Sequence, residues 1–252
     1  MGRFVVFLVS VGFILFSACN NSAEKKEQRT DTLNYTIYKA ESTSAFKRNA
    51  NDTIGTYAII TYPNFTQGGD TANINKLITY ESIKEFKGND MVVGITDAVA
   101  AFVMRYDSMS IPDKSNSPYW NRQINVKVVY QQYPYVSLAT DFTEFTGGAH
   151  GMYGTNYINF DREKNKAISL NDLFEDAKID ELTKQAEQIF RTQEGLTEGQ
   201  DYSGYFFENG KFVLPANFSI RKGGLVFQYG LYEIKPYVSG VTEIFVPVEI
   251  FR

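Results

Sequence analysis

The single histidine of the chain, His150, lies in the stretch TEFTGGAHG, residues 143–151, among Gly147, Gly148 and Gly151 and a short way after Asp141 and Glu144. An imidazole oriented by a carboxylate can act as a general base in hydrolysis, and Asp141 or Glu144 would be its partner. No Gly-X-Ser-X-Gly elbow accompanies it to supply a serine nucleophile. Zinc draws three or four ligands from His, Cys and carboxylates. With one His and one Cys in the chain, neither a metal nor a cofactor is expected. Glu144 and Asp161 are a carboxylate pair of the kind glycoside hydrolysis uses, but residue order alone does not set their separation. Gly148, Gly151 and Gly154 match neither nucleotide-binding glycine pattern, and a strand pattern follows them where a phosphate loop needs a helix. The residues favour a strand-to-strand turn that needs glycine for its geometry, with the imidazole packed or hydrogen-bonded nearby. A hydrolase using His150 and a nearby carboxylate is the alternative.

Aromatic residues are the other unusual resource, 20 Phe and 17 Tyr in 252 residues. The tyrosines gather in YQQYPY (130–135), YGTNY (153–157) and YGLYEIKPY (229–237). Such rings either pack as strand residues or present a rigid amphipathic binding surface. The formal charge of −4 argues against nucleic acid, whose phosphates require a basic face, and fits a cationic partner better.

These residues have to be positioned by an exported, folded domain. Arg3 precedes the apolar run FVVFLVSVGFILF, which is shorter than the ~20 residues of a membrane-spanning helix but suits the core of a signal peptide. Ser17, Ala18 and Cys19 follow, similar to a bacterial lipobox, so residues 1–18 are read as a lipoprotein signal peptide and Cys19 as the lipid-carrying residue. Residues 19–32 are polar and aperiodic, a tether to a membrane lipid anchor. With Asn20 and not aspartate after Cys19, an outer-membrane location is preferred within the cell envelope. Cys19 is the sole cysteine, so the fold has no internal disulfide.

Beyond the tether, β-branched and aromatic runs predict strands at Leu33–Tyr38 and Ile54–Tyr62. Ile74, Leu77, Tyr80, Ile83 and Phe86 predict a helix. Ile95, Val99, Phe102, Val103 and Tyr106 form one face of a second. From Ile124 the period becomes two, with Ile124, Val126, Val128 and Tyr130, then Val136, Leu138 and Phe142, then GMYGTNYINFD. Ile179, Leu182, Ala186, Ile189 and Phe190 mark a helix ending at Gly195. Asn209-Gly210 reads as a hairpin turn between YFF and KFVL, and Lys222 to Gly224 as a second turn. VTEIFVPVEIF closes the chain as a strand, with Pro247 placing it at an edge or at the strand's end. The order of elements predicts an α+β fold, a mainly antiparallel sheet with helices packed on it, in two adjoining modules.

Two stretches, FTGGAHGMYGTNYINFDREKNKAISLNDLF (145–174) and GLVFQYGLYEIKPYVSGVTEIFVP (224–247), resemble the extracytoplasmic domain shared by RsiV-type lysozyme-sensing anti-sigma factors and the non-catalytic part of PdaC-type peptidoglycan deacetylases. The resemblance covers roughly Leu33 to Arg252. It implies a PdaC-like module over 33–145 and an RsiV-like module over 146–252. It also implies an envelope domain that binds lysozyme-like protein or peptidoglycan without catalysis. The turn residues Gly147, Gly148 and His150 and the loop residues Tyr232, Pro236 and Tyr237 are its motif positions, hence the expected ligand-binding residues. Lys235 stands where alanine is common before the proline. With neither a transmembrane helix leading to a sigma-binding segment nor the histidines of a metal-dependent deacetylase, neither of those activities is expected to transfer.

Overall fold

The computed structural model describes residues 32–67, 71–86 and 92–249. The expected signal peptide, Cys19 and nearly all of the expected tether lie outside them. Strands β1 (Tyr35–Thr43) and β2 (Tyr57–Phe65) form an antiparallel hairpin. The chain then crosses through helices α1 (Thr71–Ile83), α2 (Ile95–Asp107) and α3 (Ile111–Asn116). It returns as β3 (Asn121–Gln132), parallel to β2. β4 (Tyr135–Phe145), β5 (Met152–Asp161) and β6 (Lys166–Ile168) then meander antiparallel, completing a six-stranded sheet in sequential order. Helix α4 (Asp176–Gln193) leads to a second sheet, the antiparallel β7 (Phe218–Arg221), β8 (Gly224–Tyr229) and β9 (Thr242–Pro247). The fold is thus α+β with mostly antiparallel sheets, the single parallel pair following from the helical crossover that such a pair requires.

Each module has its own core. α2 buries Ile95, Ala98, Val99, Phe102, Val103 and Tyr106, the face its 3.6-residue period defines, and the Asp97 carboxylate accepts from the Gly94 backbone N–H at its start. α1 differs from the three-residue spacing. It buries Ile74, Ile78, Ser82 and Ile83, and leaves Tyr80 53% exposed, because an α-helix turns a three-residue stripe away from the sheet. α4 buries Leu182, Ala186 and Phe190 against the second sheet, and Gly195 (φ +66°) follows its end. The buried members of the first core run from Leu33 to Phe160 and those of the second from Ile168 to Val246. The division between cores therefore falls after β5, not at 145/146, where β4 and β5 are paired from Tyr135–Asp161 to Glu144–Met152.

Two other expectations change. The register of β3 shifts between Val128 and Tyr130, so the bulge sends Val128 to the first core and Tyr130 to the second, although both fit one alternating pattern. Asn209 and Gly210 do take positive φ (+54° and +62°), but the flanking YFF and KFVL are not strands. Phe207 and Phe212 are instead buried around Phe190, and ring packing does there what a ladder would have done.

Candidate functional site

The turn between β4 and β5 carries His150 outward. Gly147 (φ +110°) and Gly148 (φ +93°) occupy backbone conformations that disfavour any side chain. A Cβ on Gly151 would lie 2.7 Å from the Glu144 carbonyl oxygen, so only glycine lets the chain re-enter the ladder there. The imidazole stands exposed at the tip.

Facing it is the loop from Gly230 to Val241, between β8 and β9. Buried Ile234 roots this loop, its carbonyl accepting from the Phe206 N–H. The Glu233 carboxylate caps the Gly230 N–H at 2.7 Å. Lys235 Nζ pairs with Glu194 Oε1 at 2.7 Å and so ties the loop to the end of α4. Pro236 starts the helical turn of residues 237–239 that carries Tyr237. Tyr232 sits at φ +63°, a conformation uncommon for an aromatic residue and of the sort held where surrounding contacts over-determine it.

The two loops meet. The His150 ring stacks on Tyr237 with centroids 3.9 Å apart and planes 19° from parallel. His150 Nε2 is 3.0 Å from the Tyr232 hydroxyl, and its Nδ1 is 3.4 Å from the Gly151 carbonyl oxygen. A carbonyl only accepts, so the proton is assigned to Nδ1, and Nε2 accepts from the Tyr232 O–H. The Tyr237 hydroxyl donates to the same Gly151 carbonyl at 2.8 Å. Tyr153 meets the Tyr237 ring edge-on at 6.1 Å. Three of the expected residues, His150, Tyr232 and Tyr237, are thus in contact, while Gly147, Gly148 and Pro236 shape the backbone that delivers them. Of the tyrosine clusters, Tyr153 joins this platform, Tyr229 is buried, and Tyr130 and Tyr135 pack against the second core.

Sequence reasoning missed Val238, the chain neighbour of Tyr237. Val238 is 92% exposed, and a lone apolar residue in a loop carries no periodic signal. The His150 and Tyr232 rings are exposed and Tyr237 is half-buried between the loops, while the polar tips of all three are hydrogen-bonded within the protein, which makes a rigid stacking surface.

The hydrolytic arrangement is not assembled. Asp141 bonds Lys127 Nζ at 2.6 Å and the Thr155 hydroxyl at 2.7 Å. Glu144 pairs with Arg122. Neither carboxylate is a partner of His150 among the described residues. Glu144 lies opposite Met152, at the far end of β5 from Asp161. At ~3.4 Å per strand residue the two carboxylates are roughly 30 Å apart, well beyond the ~5–9.5 Å of glycosidase pairs. Asp161 instead accepts from the backbone N–H groups of Glu163 and Lys164 and shapes the charged turn.

Comparison with known proteins agrees with this two-module arrangement. Residues 56–153 match the family model Deacetylase PdaC, and residues 171–249 match DUF3298, a family of proteins of unknown function. The chain therefore carries a PdaC domain followed by a DUF3298 domain. Among solved structures, a DUF3298 family member from Bacteroides fragilis is similar with a TM-score of 0.69 at 20% identity, covering 86% of this chain and 91% of that one. A DUF3298 family protein from Pseudomonas aeruginosa gives a TM-score of 0.62 at 21% identity, with the same coverage of both chains. Both likenesses establish the fold. No curated protein matches the chain significantly.

Proposed function

We propose that this chain is a lipid-anchored module of the cell envelope that binds a lysozyme-like protein or peptidoglycan and performs no chemistry on it. The observation that carries the reading is the convergence of exposed His150 and Tyr232 and half-buried Tyr237 from two distant loops into one surface platform whose polar atoms are already hydrogen-bonded. Interface hot spots favour such rigid aromatic anchors, because little side-chain entropy is lost when they are covered. The commitment of Asp141 and Glu144 to Lys127 and Arg122 supports binding over hydrolysis. The net charge of −4 would steer a basic partner towards the module.

Calorimetry of the purified protein with lysozyme and with muropeptides, at low and raised salt, is the test. Saturable binding is expected, with the lysozyme affinity falling as salt rises. His150→Ala and Tyr237→Ala should each weaken binding on the order of 30-fold, the effect of a hot spot worth about 2 kcal/mol. Absence of binding to both ligands at low salt, or binding indifferent to both substitutions, would overturn the reading. Mass spectrometry of the mature protein should find an acylated Cys19 at its amino terminus.

A further inference from the structure

A second recess lies on the first module, independent of the platform just described. It is a cavity of about 240 Å³ on the sheet face against which α1 packs, lined by Glu81, Arg122, Ile124, Thr140, Phe142, Glu144 and Asn156. Strand register builds its floor. Arg122 faces Glu144, Ile124 faces Phe142, Phe142 faces Gly154, and Thr140 faces Asn156. With no side chain at Gly154, the Phe142 ring leans over the strand there, and a Cβ at that position would lie 3.0 Å from two of the ring's carbons.

The chemistry of the lining restricts what it can take. Glu144 pairs with Arg122, and Glu81 with Lys84, so both carboxylates are already compensated. The Arg122 guanidinium, its side chain 11% exposed, also lies over the rings of Phe86 and Phe102 at 4.8 and 5.5 Å. An ionic ligand would lose its hydration here without meeting an uncompensated charge. A neutral hydrogen-bonding ligand fits better. Thr140, 4% exposed, has a hydroxyl with no hydrogen-bond partner among the described residues, a costly state for a buried polar atom. Asn156 adds an amide that donates and accepts, the carboxylates add acceptors, and Phe142 and Ile124 add an apolar wall. The volume is below the roughly 300–1,000 Å³ of drug-sized sites and has room for one six-membered ring.

We infer that this recess binds a single neutral hexopyranose ring, its hydroxyls bonded to Thr140, Asn156, Glu81 and the Arg122–Glu144 pair and its apolar face against Phe142. The test is a titration of the protein, followed by backbone amide NMR, with methyl glucoside, methyl galactoside, methyl mannoside and methyl N-acetylglucosaminide. N-Methylacetamide and ethylamine serve as non-sugar probes. At least one glycoside is expected to give saturable shifts at Thr140, Phe142, Gly154 and Asn156. The isosteric Thr140→Val should weaken it about tenfold, as loss of one neutral hydrogen bond does. Asn156→Ala should do the same if the valine variant folds poorly, and Tyr237→Ala should leave the affinity unchanged. The inference fails if no glycoside saturates, if only the amide or the amine does, or if the shifts fall at Tyr232 and Tyr237. Because the readout is residue-specific, failure here is separable from failure of the platform to bind its ligand.

Discussion

The two cores of this molecule are built by different means. In the first, aliphatic side chains such as Ile60, Ile74, Ile78 and Leu138 fill the space between α1, α2 and strands of up to 12 residues, and regular helices and strand ladders set almost every position. In the second, Phe190 is a hub whose ring lies 5.2–6.3 Å from those of Tyr202, Tyr205, Phe207, Phe212 and Tyr229. Residues 194–217 between α4 and β7 contain no strand and no helix beyond a single turn. Where the ladder is absent, aromatic packing fixes the chain. This irregular region also carries the Glu194 end of the clamp on the Tyr232–Tyr237 loop, so the platform depends on the aromatic core more than on the sheet.

Removing the hub is the severest way to break this contrast. Phe190→Ala should destabilise by about 3–5 kcal/mol, and Leu138→Ala in the first core by about 2–5 kcal/mol. Trp120, the one tryptophan in the chain, packs against Phe102 and Tyr106 and so reports the first module alone. Since β4 and β5 serve both cores, urea transitions followed by Trp120 emission and by far-UV circular dichroism are expected to coincide and to shift together in Phe190→Ala. A shifted dichroism transition with an unmoved Trp120 transition would show that the modules unfold separately.

The seam offers a sharper probe with a smaller effect. Asn159 is buried, donates to the Phe218 carbonyl at 2.9 Å, and accepts from the Ser137 hydroxyl at 2.6 Å and the Ile220 N–H at 3.0 Å. Asn217 does the converse from β7's side, accepting from the Tyr157 N–H at 2.8 Å and donating to the Thr155 carbonyl at 2.7 Å. Two asparagine side chains thus join the free edge and inner face of β5 to the second sheet. Asn159→Ala leaves those backbone groups unpaired and should cost about 1–3 kcal/mol, measured by urea denaturation. It should also begin to separate the two transitions that Phe190→Ala moves together.

The same contrast explains what could be read in advance. Ladders and amphipathic helices are periodic, so α2, β4, β5 and β9 are visible in residue spacing. The bulge that divides Val128 from Tyr130 adds one residue without altering composition, and spacing cannot register it. Aromatic packing around Phe190 has no period, which is why Asn209-Gly210 looks like a hairpin turn. The platform was legible through the resemblance of its two motif stretches, but the stack of His150 on Tyr237 is a tertiary contact that neither loop encodes alone. The hexopyranose recess was hidden for a related reason. Arg122, Thr140 and Asn156 become neighbours only through cross-strand register.

The smallest expected effect separates seam from aromatic core by pH. Burial first, and then the hydrogen bond to Glu194, pushes the Tyr205 phenol up to about 12; burial first, and then the charge of Glu243, does the same for Tyr157 at the seam. Both lie above the ordinary tyrosine value near 10, so the fold favours the protonated phenol. The stability this provides is full below about pH 10 and is lost as pH rises from there through about 12. Melting temperature should therefore decline over that interval, and Tyr205→Phe and Tyr157→Phe should each flatten the decline. The flattening is partial because buried Tyr229, also pushed up by burial and donating its hydroxyl to the Val213 carbonyl, still titrates. Tyr119, beside Trp120 and also pushed up by burial, gives the first module an alkaline decline of its own. Coupling through β5 is therefore read from Tyr205→Phe, which should flatten the Trp120 transition as well although its phenol lies in the other core. A Trp120 transition whose pH decline is the same in Tyr205→Phe as in the parent protein would mean that the loss from Tyr205 is confined to the aromatic module.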